Sequence, residues 1–159
     1  MHTRIDEIAP SVYRIATDVD TPDGAGFSFN QYLIAADEPL LWHTGPRRLF
    51  DATHAAIARV LAPASLRWLG FSHFEADECG ALNEFIAIAP NARPVCGRIG
   101  AMVSVGDVAN APPRALADGE VLDIGGARLA WYDTPHLPHG WDCGLVFDLQ
   151  PLDFRREPF

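Results

Sequence analysis

The chain has 159 residues, 48% of them apolar and 21% charged, enough for one domain with a substantial hydrophobic core. Its formal charge of −9 opposes association with a nucleic-acid backbone. No stretch has the apolar length of a membrane-crossing helix, and Met1-His2-Thr3-Arg4-Ile5-Asp6-Glu7 lacks the apolar centre of a signal peptide, so no membrane partner is expected and the expected compartment is the cytoplasm. Cys79, Cys96 and Cys143 show no Cys-x-x-Cys spacing and read as reduced thiols, more often small buried hydrophobes than metal ligands.

In chain order, Ser11 to Ala16 alternates apolar and polar residues as a strand does. A turn cluster at Thr21-Pro22-Asp23-Gly24-Ala25-Gly26 separates it from a second strand over Phe27 to Ala35. After Asp37-Glu38-Pro39, a third strand covers Leu40 to His43 and stops at Thr44-Gly45-Pro46. The spacing of Leu49, Phe50, Thr53, Ile57, Val60 and Leu61 predicts a helix between Arg47 and Leu61, with Pro63 as its stop. Leu66 to Phe71 is nearly continuous in apolar residues, the mark of a strand buried on both faces. A helix over Ala81 to Ile86, a short strand over Arg93 to Gly97 and a helix over Ile99 to Val108 follow. The last third returns to strands: Glu120 to Ile124, a Gly125-Gly126 hairpin signal, Ala127 to Tyr132, and Cys143 to Asp148. The order implies an α+β fold, a mixed sheet with helices packed outside, in a single domain spanning 1–159 whose tail, 149–159, has no assignable period.

Between the strand at Phe71 and the next helix lies Ser72-His73-Phe74-Glu75-Ala76-Asp77-Glu78-Cys79. An imidazole and three carboxylates on a strand-to-helix loop are nitrogen and oxygen ligands suited to iron, manganese or zinc. A loop that merely caps the following helix would carry Asp77 and Glu78 as well. A second loop, Asp133-Thr134-Pro135-His136-Leu137-Pro138-His139-Gly140-Trp141-Asp142, also follows a strand. Spacing alone does not bring the two loops together. His43, at a strand end, is expected to bond to backbone, and His2 and His54 are expected at the surface.

A meander, a helix and then strand-His-x-Glu-x-Asp-helix resembles the N-terminal part of a metallo-β-lactamase-like domain of αββα type. Glu75, where hydrolases of that fold more often have a second histidine, makes the motif resemble the diiron branch, the flavodiiron proteins and their oxygen-binding relatives. Thr134-Pro135 to Trp141-Asp142 resembles that branch's second ligand loop with a small shift. The resemblance runs from about Ile8 to Asp148. It implies His73, Glu75 and His139 on one iron and Asp77 on the other, with Glu78 as a further candidate ligand. His136 is implied as a pocket group or as the alternative to His139, and Phe71, Phe74 and Trp141 as a shielding pocket.

Two departures accompany it. Glu78 stands where the branch usually has a histidine, and the branch's later motifs, a bridging aspartate and a final histidine, do not follow Asp148. The domain is therefore expected to be incomplete, with a sheet edge that a homo-oligomer would cover. Three functions compete. The first is a non-haem diiron protein binding O₂ or another small molecule, with two irons or fewer. The second is a zinc-dependent hydrolase of the same fold, and the third a non-catalytic form with an unfinished metal site.

Overall fold

The computed structural model describes residues 1–22, 24–136 and 140–149. Among the described residues, ten strands form two sheets. The first has seven strands in simple sequence order: β1 (His2–Ala9), β2 (Val12–Val19), β3 (Phe27–Ile34), β4 (Leu40–Trp42), β5 (Trp68–Gly70), β6 (Arg93–Gly97) and β7 (Arg114–Leu116). Pairing is antiparallel from β1 to β4 and parallel from β4 to β7. Each parallel step requires a crossover, and helices supply it. They are α1 (Phe50–Ile57) between β4 and β5, α2 (Ala76–Cys79) and α3 (Leu82–Ile88) between β5 and β6, and a helical stretch over 98–108 between β6 and β7. That last stretch contains a π-helical segment at Ala101–Val105. The second sheet is antiparallel and holds β8 (Val121–Asp123), β9 (Arg128–Asp133) and β10 (Gly144–Asp148) in the order β10-β9-β8.

Side-chain alternation divides the core into two layers. On one face of the large sheet Ile15, Leu33, Leu41, Leu69 and Cys96 pack with Ile57, Leu82 and Phe85 of the helices. On the other face Ile34, Leu40, Trp42, Trp68 and Val95 pack against Leu122, Leu129 and Trp131 of the small sheet. The central strands are thus buried on both sides, which is why Leu66 to Phe71 carries little polar alternation. Trp131 sits at the seam between the sheets, fully buried, its indole N–H donating to Asp133 Oδ1 at 2.6 Å. A Cβ at Gly144 would lie 1.9 Å from that ring, so only glycine lets β10 start where it does.

The sequence pattern matches this architecture, an α+β sandwich of mixed sheet and outer helices, with local corrections. β1 and β7 were not read from sequence. β1 pairs along its length with β2 and has mostly polar, exposed side chains, while β7 has only three residues. The helix expected over Arg47 to Leu61 is a 3₁₀ turn at Arg47–Leu49 followed by α1, and it ends four residues early. The helix expected to begin at Ala81 is preceded by α2. On the outer side of the small sheet Tyr132, Leu145 and Phe147 are exposed, with the Tyr132 and Phe147 rings edge-on at 5.6 Å. Among the described residues no helix is long and apolar enough to cross a membrane. Of the tail, only Leu149 lies within the described residues.

Candidate metal centre

The carboxyl ends of parallel strands are where open α/β sheets place ligands, and the two informative loops meet at such an end. β5 runs into Ser72, His73, Phe74 and Glu75, β9 runs into residues 134–136, and residues 140–143 lead into β10. Gly144 N–H donates to Ser72 O at 2.9 Å, and Phe74 N–H donates to Asp142 Oδ2 at 3.0 Å. Within the second loop, Thr134 N–H donates to Cys143 O and Cys143 N–H to Gly140 O, closing a tight turn. The convergence that spacing left open is present.

His73 is the hub. Its Nδ1 lies 2.6 Å from Asp142 Oδ1, and both side chains are nearly enclosed, 12% and 6% exposed. A carboxylate oxygen at that distance accepts the Nδ1–H, so Asp142 fixes the orientation of the ring and turns Nε2 to its far side. Nε2 is 3.4 Å from Glu75 Oε1. An imidazole nitrogen and a carboxylate oxygen side by side can serve as a ligand pair for a cation, and a carboxylate behind the ring is the usual support of a metal-binding histidine.

Glu78 has another task. Its Oε2 accepts the backbone N–H of Ser72 at 2.8 Å and of His73 at 2.7 Å, and lies 3.2 Å from His43 Nε2. His43 Nε2 is also 2.8 Å from Ser72 Oγ, so the ring bonds side chains of this loop rather than backbone, contrary to the expectation from its strand-end position. Burial pushes the Glu78 carboxyl up. The hydrogen bond and positive charge of His43, with the N–H groups of His73 and Ser72, more than offset this and hold it below the ordinary carboxylate value. His43 is itself in the left-handed region at φ 64°, an uncommon conformation for a histidine.

The other expected residues are distributed as follows. Asp77 is exposed on the first turn of α2, where its charge suits the helix dipole. His139 lies outside the described residues. His136 is exposed, and its ring rests against Gly140: a Cβ there would be 2.6 Å from His136 Nε2 and 2.9 Å from Cys143 Sγ. Among the described residues, the metal-capable group whose ligand atoms all come within 4.8 Å of one another is His73, Asp142 and Cys143. Burial, then the carboxylates of Asp142, Glu78 and Glu75, push the Cys143 thiol up. Cys79 and Cys96 are buried apolar thiols, pushed up to about 12 mainly by burial, as expected of structural cysteines. Phe74 lines a groove of about 630 Å³ beside Glu75, with Cys79, Leu82 and Val108. Phe71 belongs to the helix-side core and Trp141 is 62% exposed, so the aromatic shield expected there reduces to Phe74.

Sequence reasoning assigned no role to Asp142, Ser72 or Cys143. The signal for Asp142 was its place at the end of the second ligand loop. Cys143 carried none beyond its position next to that loop.

No protein-family model matches the chain. Over 126 residues it is 28% identical to a putative diflavin flavoprotein of Nostoc sp., an alignment covering 77% of this chain and 22% of that protein. It is 26% identical over 106 residues to a flavo-diiron protein of Clostridium acetobutylicum, covering 65% and 26%. The chain is thus similar in sequence to part of the flavodiiron proteins. Solved structures agree at the level of fold. A flavoprotein of Thermotoga maritima superimposes with a TM-score of 0.80 at 18% identity, over 92% of this chain and 40% of that one. Rubredoxin oxygen:oxidoreductase of Desulfovibrio gigas gives 0.79 at 22% identity, over 91% and 38%. The chain therefore has the metallo-β-lactamase-like fold that these structures share with it. It spans about a quarter of the length of the curated relatives it matches.

Proposed function

We propose that the chain is a metal-binding protein of flavodiiron type, with His73 Nε2 and Glu75 as ligands of one ion and an imidazole of the second loop beside them. The observation that carries this reading is the Asp142–His73–Glu75 relay: one carboxylate 2.6 Å from Nδ1 and a second 3.4 Å from Nε2, on opposite sides of one imidazole. His139 is the preferred imidazole by resemblance, with His136 as the alternative. The described residues fit a second ion less well. Asp77 alone is offered there, because Glu78 is taken up by Ser72 N–H, His73 N–H and His43.

Iron is the metal favoured by the kinship, and it would supply binding of O₂ or another small oxidant and a change of oxidation state. The chain's own residues orient the ligand ring, keep its Nδ1 proton in place, and wall one side with Phe74. Elemental analysis of protein purified without added metal tests the reading. Iron is expected in the native chain and lost in His73→Ala, with the circular dichroism of the two unchanged. Equal metal in both, or metal in neither, overturns it.

A further inference from the structure

The metal reading above leaves the thiol of Cys143 unused, although it stands at the same place. Cys143 differs from the other two cysteines. Cys79 and Cys96 are 8% and 1% exposed within the apolar core, whereas Cys143 is only partly buried and follows the turn that carries Asp142. That turn is fixed on both sides, by Cys143 N–H to Gly140 O at 3.1 Å and by Gly144 N–H to Ser72 O at 2.9 Å. Its position relative to His73 is therefore set by backbone rather than by a freely moving side chain.

A second observation points the same way. Gly140 has φ 91°, and a Cβ there would lie within 3 Å of both His136 Nε2 (2.6 Å) and Cys143 Sγ (2.9 Å). The hydrogen of glycine leaves a cradle into which an imidazole and a thiol both project. Independently of that cradle, one ligand atom each of His73, Asp142 and Cys143 falls within 4.8 Å of the others. Asp142 is already bonded through both oxygens, to the His73 ring and to Phe74 N–H, so it serves as the orienting carboxylate of this group. Bonds of roughly 2.0–2.3 Å from nitrogen and sulfur would place the ligand atoms somewhat closer together than this.

We propose that Cys143 is a thiolate ligand of the ion held by His73, giving the site a sulfur ligand beside nitrogen and oxygen. This rests on the metal reading above. On binding, the thiol gives its proton to solvent and the sulfur lone pair forms the bond to the metal, with no change of oxidation state. A thiolate draws the site toward softer divalent ions than an all-oxygen shell would take.

Titration of the whole chain with cobalt(II), followed optically, tests it. The expected result is visible ligand-field bands together with a near-ultraviolet thiolate-to-cobalt charge-transfer band. Cys143→Ser is expected to lose the charge-transfer band and to bind cobalt about tenfold or more weakly, since changes even outside the ligand shell cost that much. Ligand-field bands without a charge-transfer band in the native chain overturn the thiolate and leave the metal reading standing. No cobalt binding at all overturns both. A charge-transfer band that survives in Cys143→Ser also overturns the proposal, because Cys79 or Cys96 would be its source. Alkylation gives a readout that needs no variant: zinc(II) is expected to slow iodoacetamide labelling of Cys143 at least about tenfold, and an unchanged rate counts against it.

Discussion

Two carboxylates flank His73, and they act on different parts of it. Glu78, from the helix five residues on, holds the backbone: its Oε2 collects the Ser72 and His73 N–H groups and the His43 ring. Asp142, from a loop 69 residues away, holds the imidazole through Nδ1. The nearer acid sets where the loop lies, and the farther one sets what the ring can bind. Closeness in sequence to a metal motif therefore does not make a carboxylate a ligand. A side chain folded back on its own loop is already satisfied.

The largest effect follows from removing the backbone clamp. Glu78→Ala leaves two part-buried N–H groups and a histidine without their shared acceptor. Charge-assisted hydrogen bonds and orphaned donors cost about 1–3 kcal/mol each, so a loss of about 3 kcal/mol is expected in urea unfolding. A loss under about 1 kcal/mol would show that water replaces Glu78, and the comparison of the two acids would lose one of its terms.

Asp142→Asn sharpens the other side. The amide preserves the shape and can still accept from Nδ1–H, but it has no charge and cannot also accept from Phe74 N–H. Metal affinity is expected to fall about 10- to 100-fold, measured by competition with a chromophoric chelator, while the unfolding midpoint moves less than for Glu78→Ala. If the order were reversed, with Asp142→Asn the more destabilising and Glu78→Ala the more damaging to metal binding, the division of labour proposed here would be wrong.

How much of this was legible in the chain depends on the range of the interaction. The strands of the central sheet, the Gly125-Gly126 hairpin and the His73 loop rest on local pattern, and the structure has them in place. β1 escaped because an edge strand with mostly polar, exposed side chains has no burial pattern to read. In the site, His73 and Glu75 share one loop and were read together with Asp77 and Glu78. Asp142 belongs to His73 only through the meeting of two loops at a strand end, fixed by Gly144 and the Trp131 ring above it, which no spacing rule encodes. Glu78 shows the opposite case: it sits where the resemblance implies a further ligand, and in the structure its carboxylate bends back to Ser72 N–H and His73 N–H, which the spacing does not show.

The smallest effect is in pH, and it isolates the Glu78 side of the comparison. In the folded chain the carboxyl is held below its ordinary value of 4.5, because His43 and two N–H groups outweigh burial. The unfolded chain lacks these partners and takes up the proton first. Stability from this group is therefore complete above about pH 5, and it is lost as pH falls through the ordinary value toward the folded one. In unfolding titrations between pH 6 and pH 3, Glu78→Gln should lack this part of the acid slope, and its deficit against the native chain should shrink as the pH drops. His43→Gln should reduce the slope only partly, because the Ser72 and His73 N–H groups still favour the ionised carboxylate. Parallel curves for the native chain and Glu78→Gln would mean that Glu78 ionises alike in both states, and that its hold on the loop contributes nothing through charge.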